Sequence, residues 1–269
     1  MRPMNDRGEG QGARGDSFPS PLPPHPFIQA ALNGTRTRAE HPAIPITPAQ
    51  QAAEALASVA AGAGGIHVHV RDEDGNESLA EADVAKTLDA IRTACPGIPI
   101  GISTGAWIIP DLRHRLSVIR SWTTLPDLAS VNLHEAGAAK VIELLLERGV
   151  AVEAGIWNAP AAESLVRSGL TDYCLRILLE PAEASCSARA NLQQMEDVLS
   201  GAKPPRLLHG LGHCAWRLIE MAARRRYDTR IGFEDTLRLP DGSTAGGNAE
   251  LVRAARQLVE RTAMLMTAV

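Results

Sequence analysis

The sequence predicts a (β/α)8 barrel on three observations: eight short apolar, β-branched runs alternate with eight stretches of helical spacing, the chain has 269 residues, and no glycine-rich phosphate fingerprint follows the first run. Eight is the strand count at which a small parallel sheet closes. A doubly wound open sheet also alternates strand with helix, and the count and the missing fingerprint argue against it.

The expected strands cover 27–33, 66–71, 98–103, 128–133, 151–157, 173–179, 206–209 and 230–235. Thr47-Pro48 opens the first helix with an N-cap and a proline at the first helical position, and Gly62 to Gly65 closes it. The remaining helices are expected at about 81–95, 110–121, 136–148, 160–168, 187–200, 213–226 and 248–263. Pro110, Gly137, Gly149, Gly169 and Gly201 stand where starts and stops are wanted. Residues 1–25 are rich in Gly, Pro, Arg and Asp and read as a disordered leader, leaving 26–269 as one catalytic barrel domain.

Aromatic residues make up only 3% of the chain, so Ala, Leu, Val and Ile have to fill the core. A net charge of −4 gives no footprint for nucleic acid, and no basic stripe is interleaved with aromatics. No run of about 18 apolar residues exists, and no apolar segment follows the first basic residues, which argues against a membrane span and against secretion. Cys95, Cys174, Cys186 and Cys214 are widely spaced and form no C-x-x-C pair, so a thiolate metal site or redox dithiol is not expected and a reducing cytoplasm fits.

The chemistry concentrates at two places. In Gly65-Ile66-His67-Val68-His69-Val70-Arg71-Asp72, histidines alternate with apolar residues, so one strand face presents both imidazoles to the lumen while Ile66, Val68 and Val70 pack outward. Arg230-Ile231-Gly232-Phe233-Glu234-Asp235 supplies, by the same period of two, an Arg and a Glu facing together. His67, His69 and Glu234 would make a two-imidazole, one-carboxylate site with open positions, for which zinc is the first choice and other divalent first-row metals are alternatives.

Asp235 is either a base at the rim or a cap for the following loop, because one step along a strand points it away from Glu234 unless the strand has ended. Arg230 is either a partner for a barrel carboxylate such as Glu153 or the anchor of a substrate carboxylate, a role its bidentate fork suits. Ser103 and Thr104 bring hydroxyls to the mouth or simply turn the chain. Asn33-Gly34-Thr35-Arg36 brings a cation to the rim, either for a ligand or as an ordinary solvated Arg. His209-Gly210-Leu211-Gly212 is either a backbone cradle for a phosphate-bearing cofactor or a tight strand-to-helix turn.

Taken in order, Ala30-Ala31-Leu32-Asn33-Gly34, His41-Pro42-Ala43-Ile44-Pro45-Ile46-Thr47-Pro48, His67-Val68-His69-Val70-Arg71-Asp72, Ser130-Val131-Asn132-Leu133, His209-Gly210 and Gly232-Phe233-Glu234-Asp235 resemble the β-keto acid cleavage enzyme family over about residues 27–262. The resemblance implies a zinc-bearing barrel that converts a β-keto acid and acetyl-CoA into acetoacetate and the CoA thioester of the remaining acyl fragment. It implies His67, His69 and Glu234 as metal ligands and Asp235 as general base, with Arg230 and Ser103 assisting. Thr35, Arg36, Thr104 and Asn132 are expected to contact substrate. A homo-oligomer is implied too, with a tetramer as the guess. Members acting on an aminated substrate carry an acidic residue just after the first strand, where this chain reads Thr35-Arg36-Thr37-Arg38, so a neutral or anionic acyl tail is expected instead, an anionic one meeting Arg36.

Two rival readings fit these residues less well. Zinc-dependent hydrolases of the amidohydrolase type carry His-x-His on the first strand and further histidines on the fifth and sixth. Here the pair follows the first helix, and the expected strands 151–157 and 173–179 contain no histidine. A non-catalytic metal-binding barrel would be expected to lack the base or the anchor, yet Asp235, Arg230 and Ser103 are all present.

Overall fold

The computed structural model describes residues 27–181 and 187–267, so the expected leader and Cys186 lie outside the described residues. Eight parallel strands close in chain order: β1 (Ile28–Ala31), β2 (Gly65–Val68), β3 (Ile100–Ser103), β4 (Leu128–Asn132), β5 (Ala151–Ile156), β6 (Arg176–Leu179), β7 (Arg206–Leu208) and β8 (Asp228–Ile231). Around them lie α1 (Pro48–Ala60), α2 (Glu81–Ala94), α3 (Leu112–Ser121), α4 (Ala138–Glu147), α5 (Ala159–Ser168), α6 (Ser187–Val198), α7 (Ala215–Arg225) and α8 (Asn248–Thr267). The expected (β/α)8 barrel is the observed architecture. No described helix is long and apolar enough to cross a membrane.

Local chemistry accounts for the helix starts. Thr47 and Gln50 form a reciprocal capping box ahead of Pro48, and Asp111 and Asn158 cap α3 and α5 through their side-chain oxygens. On the strands, outward residues such as Ile66, Val68, Ile102, Val131, Val152 and Ile177 join the helices in one apolar core. Cys95, Cys174 and Cys214 are buried and unpaired, and burial pushes the Cys174 thiol up to about 12.

The inward residues build the floor of the site. Phe27, at the foot of β1, forms a separate buried apolar cluster with Leu178 and Leu207, and the Arg176 guanidinium lies 4.5 Å from the centre of its ring. Arg176 is itself almost fully buried and is neutralised by Glu153 Oε1 at 2.7 Å and Asp228 Oδ2 at 3.5 Å. Gln29 Nε2 donates to both Glu153 oxygens, at 3.1 and 3.2 Å. Burial works to raise the Glu153 carboxyl, but Arg176 and His67 hold it below its ordinary value. Removing one member of such a buried pair costs about 3–5 kcal/mol, because the other charge stays behind without water.

The structure departs from the sequence reading at two strands and decides against one of the partners open to Arg230. Glu153 is taken by Arg176 and Gln29, and Arg230 turns instead to the two carboxylates that follow β8. The expected strand 173–179 begins only at Arg176, since Thr171–Tyr173 form a 3-10 turn. The eighth strand spans Asp228–Ile231, not 230–235. Gly232 lies so close to the Ala31 carbonyl that any side chain would collide with it, and the chain then curls: Asp235 N and Thr236 N both donate to Gly232 O, at 2.9 and 3.0 Å. Arg230 and Glu234 therefore meet across a helix-like turn, four residues apart, and not along a pleat.

Candidate active site

His67 is on β2, whereas His69 lies one residue past its end, where a side chain takes over the ladder bonds. The buried Asn33 amide donates to His69 O at 2.9 Å, and its oxygen accepts from His69 N at 2.9 Å. Gln51 Nε2 adds a third bond, to the same carbonyl, at 3.1 Å. Both imidazoles are thereby held in the mouth, with ring centroids 5.3 Å apart.

Glu234 joins them from beyond β8. One of its oxygens, Oε2, lies 3.5 Å from His67 Nε2, and Oε1 lies 3.5 Å from His69 Nε2. These three side chains form a group whose donor atoms all lie within 4.8 Å of one another. A tetrahedral zinc with bonds of about 2.0–2.1 Å separates its ligand atoms by roughly 3.3–3.5 Å, so the trio fits a divalent cation. The buried Glu234 Oε2 has no hydrogen-bond partner, as expected of an atom whose partner is a cation.

Electrostatics divide the two imidazoles. Burial lowers His67 to about 4, so it is neutral and ready to ligate. Burial also opposes charge on His69, but Glu234 and Glu77 outweigh it and raise the ring to about 9 when no cation is bound. Glu234 is pushed up by burial, yet Arg230 and the two histidines hold it well below the usual carboxylate range. Arg230 is raised above its ordinary value, against burial, by Asp235 and Glu234.

Asp235 is fully buried. Its Oδ1 accepts from Arg230 Nε at 3.3 Å and Nη2 at 2.9 Å, while Oδ2 has no partner. The same Arg230 Nη2 donates to Glu234 Oε1 at 2.7 Å, so one guanidinium fixes both carboxylates relative to each other. His209 stands on the far side, with Nδ1 3.3 Å from Asp235 Oδ1 and Nε2 3.2 Å from Glu180 Oε2, neither contact aligned as a hydrogen bond. Burial and Arg230 act to lower His209, but Glu180 and Asp235 prevail and raise it to about 9.

The structure thus brings together five of the residues singled out in the sequence: His67, His69, Arg230, Glu234 and Asp235. Ser103 ends β3, buried, with its hydroxyl accepting from Gly105 N at 3.4 Å. Three expected substrate contacts already have partners within the protein. The Thr104 hydroxyl donates to Ser130 O at 2.8 Å, Asn132 Nδ2 donates to Glu135 Oε1 at 3.1 Å, and Arg36 Nη1 pairs with Glu40 at 2.8 Å. Thr35 lies exposed beside Arg36. The segment His209–Gly212 is a strand-to-helix turn, and Gly212 N is committed to Asp235 O at 2.7 Å.

Sequence reading overlooked Glu180, Glu77 and the contacts of His209. Glu77 had a legible signal: Asp72-Glu73-Asp74-Gly75-Asn76 is a turn sequence, and the Asp72 side chain does accept from Asp74 N and Asn76 N. The turn makes Arg71 and Glu77 face each other in an antiparallel bridge, which returns Glu77 to His69. Glu180 and His209 simply follow β6 and β7, and nothing in spacing distinguishes them from ordinary strand ends.

The chain is similar to proteins of known activity. It is 27% identical over 262 residues to the 3-keto-5-aminohexanoate cleavage enzyme of Fusobacterium nucleatum subsp. nucleatum, covering 87% of this chain and 91% of that protein. A shorter match, 38% identical over 80 residues and spanning 29% of this chain and 28% of the other, is to the 3-oxoadipate:acetyl-CoA acetyltransferase of Cupriavidus necator. In fold it resembles ObcA, solved as a ternary complex with a C4-CoA adduct and oxalate, with a TM-score of 0.61, 18% identity and coverage of 84% of this chain and 67% of that one. The family model described as beta-keto acid cleavage enzyme matches residues 26–267, and this chain belongs to that family.

Proposed function

We propose that the protein cleaves a β-keto acid against acetyl-CoA, giving acetoacetate and the CoA thioester of the remaining acyl group, with His67, His69 and Glu234 holding a divalent cation, zinc by donor set. The observation that carries this reading is the convergence of that trio on Asp235 through a single buried arginine. The activities named for the two curated relatives support the substrate classes.

When bound, the cation supplies Lewis acidity toward a chelating keto acid. The reaction forms one C–C bond and breaks another at the same carbon, C2 of the keto acid. Asp235 Oδ2, the free oxygen, removes the C2 proton. The C2 carbanion adds to the thioester carbonyl and expels the CoA thiolate; the thiolate adds to the original keto carbon, and the C2–C3 bond breaks. Asp235 returns its proton to C2 of acetoacetate. Arg230 balances the negative charge that passes between Asp235 and the substrate. Ser103, at the mouth, is the hydroxyl available to the reacting carbonyl, and the buried setting keeps water from the thioester.

The acyl tail is uncharged or anionic. Arg36 and Arg38 in the loop after β1 support this, although the pairing of Arg36 with Glu40 weakens its pull on a second carboxylate. Thr35, Arg36, Thr104 and Asn132 remain the proposed contacts at the rim. Exposed Met264 and Leu265 near the end of α8 support a homo-oligomer, for which the family resemblance suggests a tetramer. The buried, unpaired cysteines support a cytoplasmic location.

The direct test is CoA dependence. Purified protein, zinc and a panel of β-keto acids should yield acyl-CoA and acetoacetate only when acetyl-CoA is present. Turnover without acetyl-CoA would favour a hydrolase, and a preference for cationic tails would refute the assignment of the tail.

Proton linkage gives a second expectation. Because His69 carries a proton up to about 9 in the metal-free site while His67 is neutral above about 4, metal binding at pH 7.5 should release close to one proton. Affinity should then climb about tenfold per pH unit below about 9 and flatten above it. Calorimetry in buffers of differing ionisation enthalpy reads the released proton, and a value near zero would contradict the His69 assignment.

A further inference from the structure

Trp107 has no part in the chemistry above, yet it is built into the site. It lies in the connection between β3 and α3, and its ring stacks on His69 with centroids 6.0 Å apart and planes inclined at 25°. Its indole N–H donates to Glu77 Oε2 at 3.0 Å, and Glu77 Oε1 meets His69 Nδ1 at 2.5 Å. The residue remains 45% exposed, so burial alone does not account for its position. Gly105 makes room for it: any side chain there would run into the indole.

We propose that Trp107 and Glu77 form a strap that positions His69. The indole N–H holds one carboxylate oxygen, the other oxygen fixes the imidazole through Nδ1, and Nε2 is left facing the ligand trio. The indole face also covers the imidazole. This rests on reading His67, His69 and Glu234 as the metal site, and it goes beyond that reading by naming what orients one ligand.

The two histidines differ in a way that supports the strap. His67 is fixed within the β2 ladder, and its buried Nδ1 has no partner. His69 lies past the end of its strand, where only the Asn33 and Gln51 side chains hold its backbone, and it is the one given a carboxylate. A carboxylate behind a ligating imidazole fixes the tautomer and makes the ligand more basic. Glu77 is near the surface with 12% of its side chain exposed, so without the indole N–H one oxygen could turn to solvent.

The test uses the full-length protein and Zn2+ or Co2+ dissociation constants from chelator competition. Glu77→Gln should weaken the metal roughly 10–100-fold, and Glu77→Asp should recover only part of the loss. Trp107→Phe keeps a ring but loses the N–H, and should weaken the metal about fivefold, the worth of one hydrogen bond. The double variant should match Glu77→Gln alone, because Trp107 acts through Glu77. Co2+ should quench part of the wild-type tryptophan fluorescence, and Trp107→Phe should abolish most of that quenching. Wild-type affinity in Trp107→Phe, or losses that multiply in the double variant, would overturn the strap while leaving the metal site standing. A wild-type protein that binds neither cation would remove the metal site and the strap with it.

Discussion

Glu234→Ala is expected to lose the cation and the activity together, with kcat/KM down by roughly 10³-fold or more. Glu234 is the only anionic member of the trio, and its two oxygens face the two imidazoles at 3.5 Å each. Without it, only the imidazoles of His67 and His69 remain as donors, and His69 also loses one of the groups that raise it to about 9. The fold should survive, because Arg230 keeps Asp235 at 2.9 Å. Metal analysis of the purified variant, paired with an activity assay and a thermal melt, separates these effects. A variant that retains stoichiometric metal and a substantial rate would show that the carboxylate is not a ligand.

Asp235→Asn is expected to do the opposite to the metal: full occupancy, with kcat lowered by about 10²–10⁴-fold and KM little changed. The amide oxygen can still accept from Arg230, whose charge stays paired with Glu234 at 2.7 Å. The stability loss should therefore fall short of the about 3–5 kcal/mol that an uncompensated buried charge costs. Steady-state kinetics with metal quantified on the same sample provides the check. A rate close to wild type would mean that the proton at C2 moves by another route.

The alternation of strands and helices was legible because it depends on local patterns that survive in isolation: Thr47-Pro48 caps α1, and β-branched residues mark β2 and β3. His67 and His69 were legible for the same reason, since alternation along a strand states which side chains share a face. The Arg230–Glu234 pairing was anticipated through the wrong geometry. Nothing in the residues of 230–235 announces that the strand stops at Ile231; the stop comes from the close approach of Gly232 to Ala31, about two hundred residues away in the chain. Glu153 looks inward like Arg230 and so stands among its possible partners, but the β5–β6 register sets Arg176 directly beside Glu153 and gives it the nearer charge. Partners of that kind are fixed by the register between strands, which no single segment encodes.

Phe27, Leu178 and Leu207, with Arg176 against the Phe27 ring, fill the lumen beneath the site, so the acid and the thioester are expected to enter and leave at the rim formed by the strand C-termini.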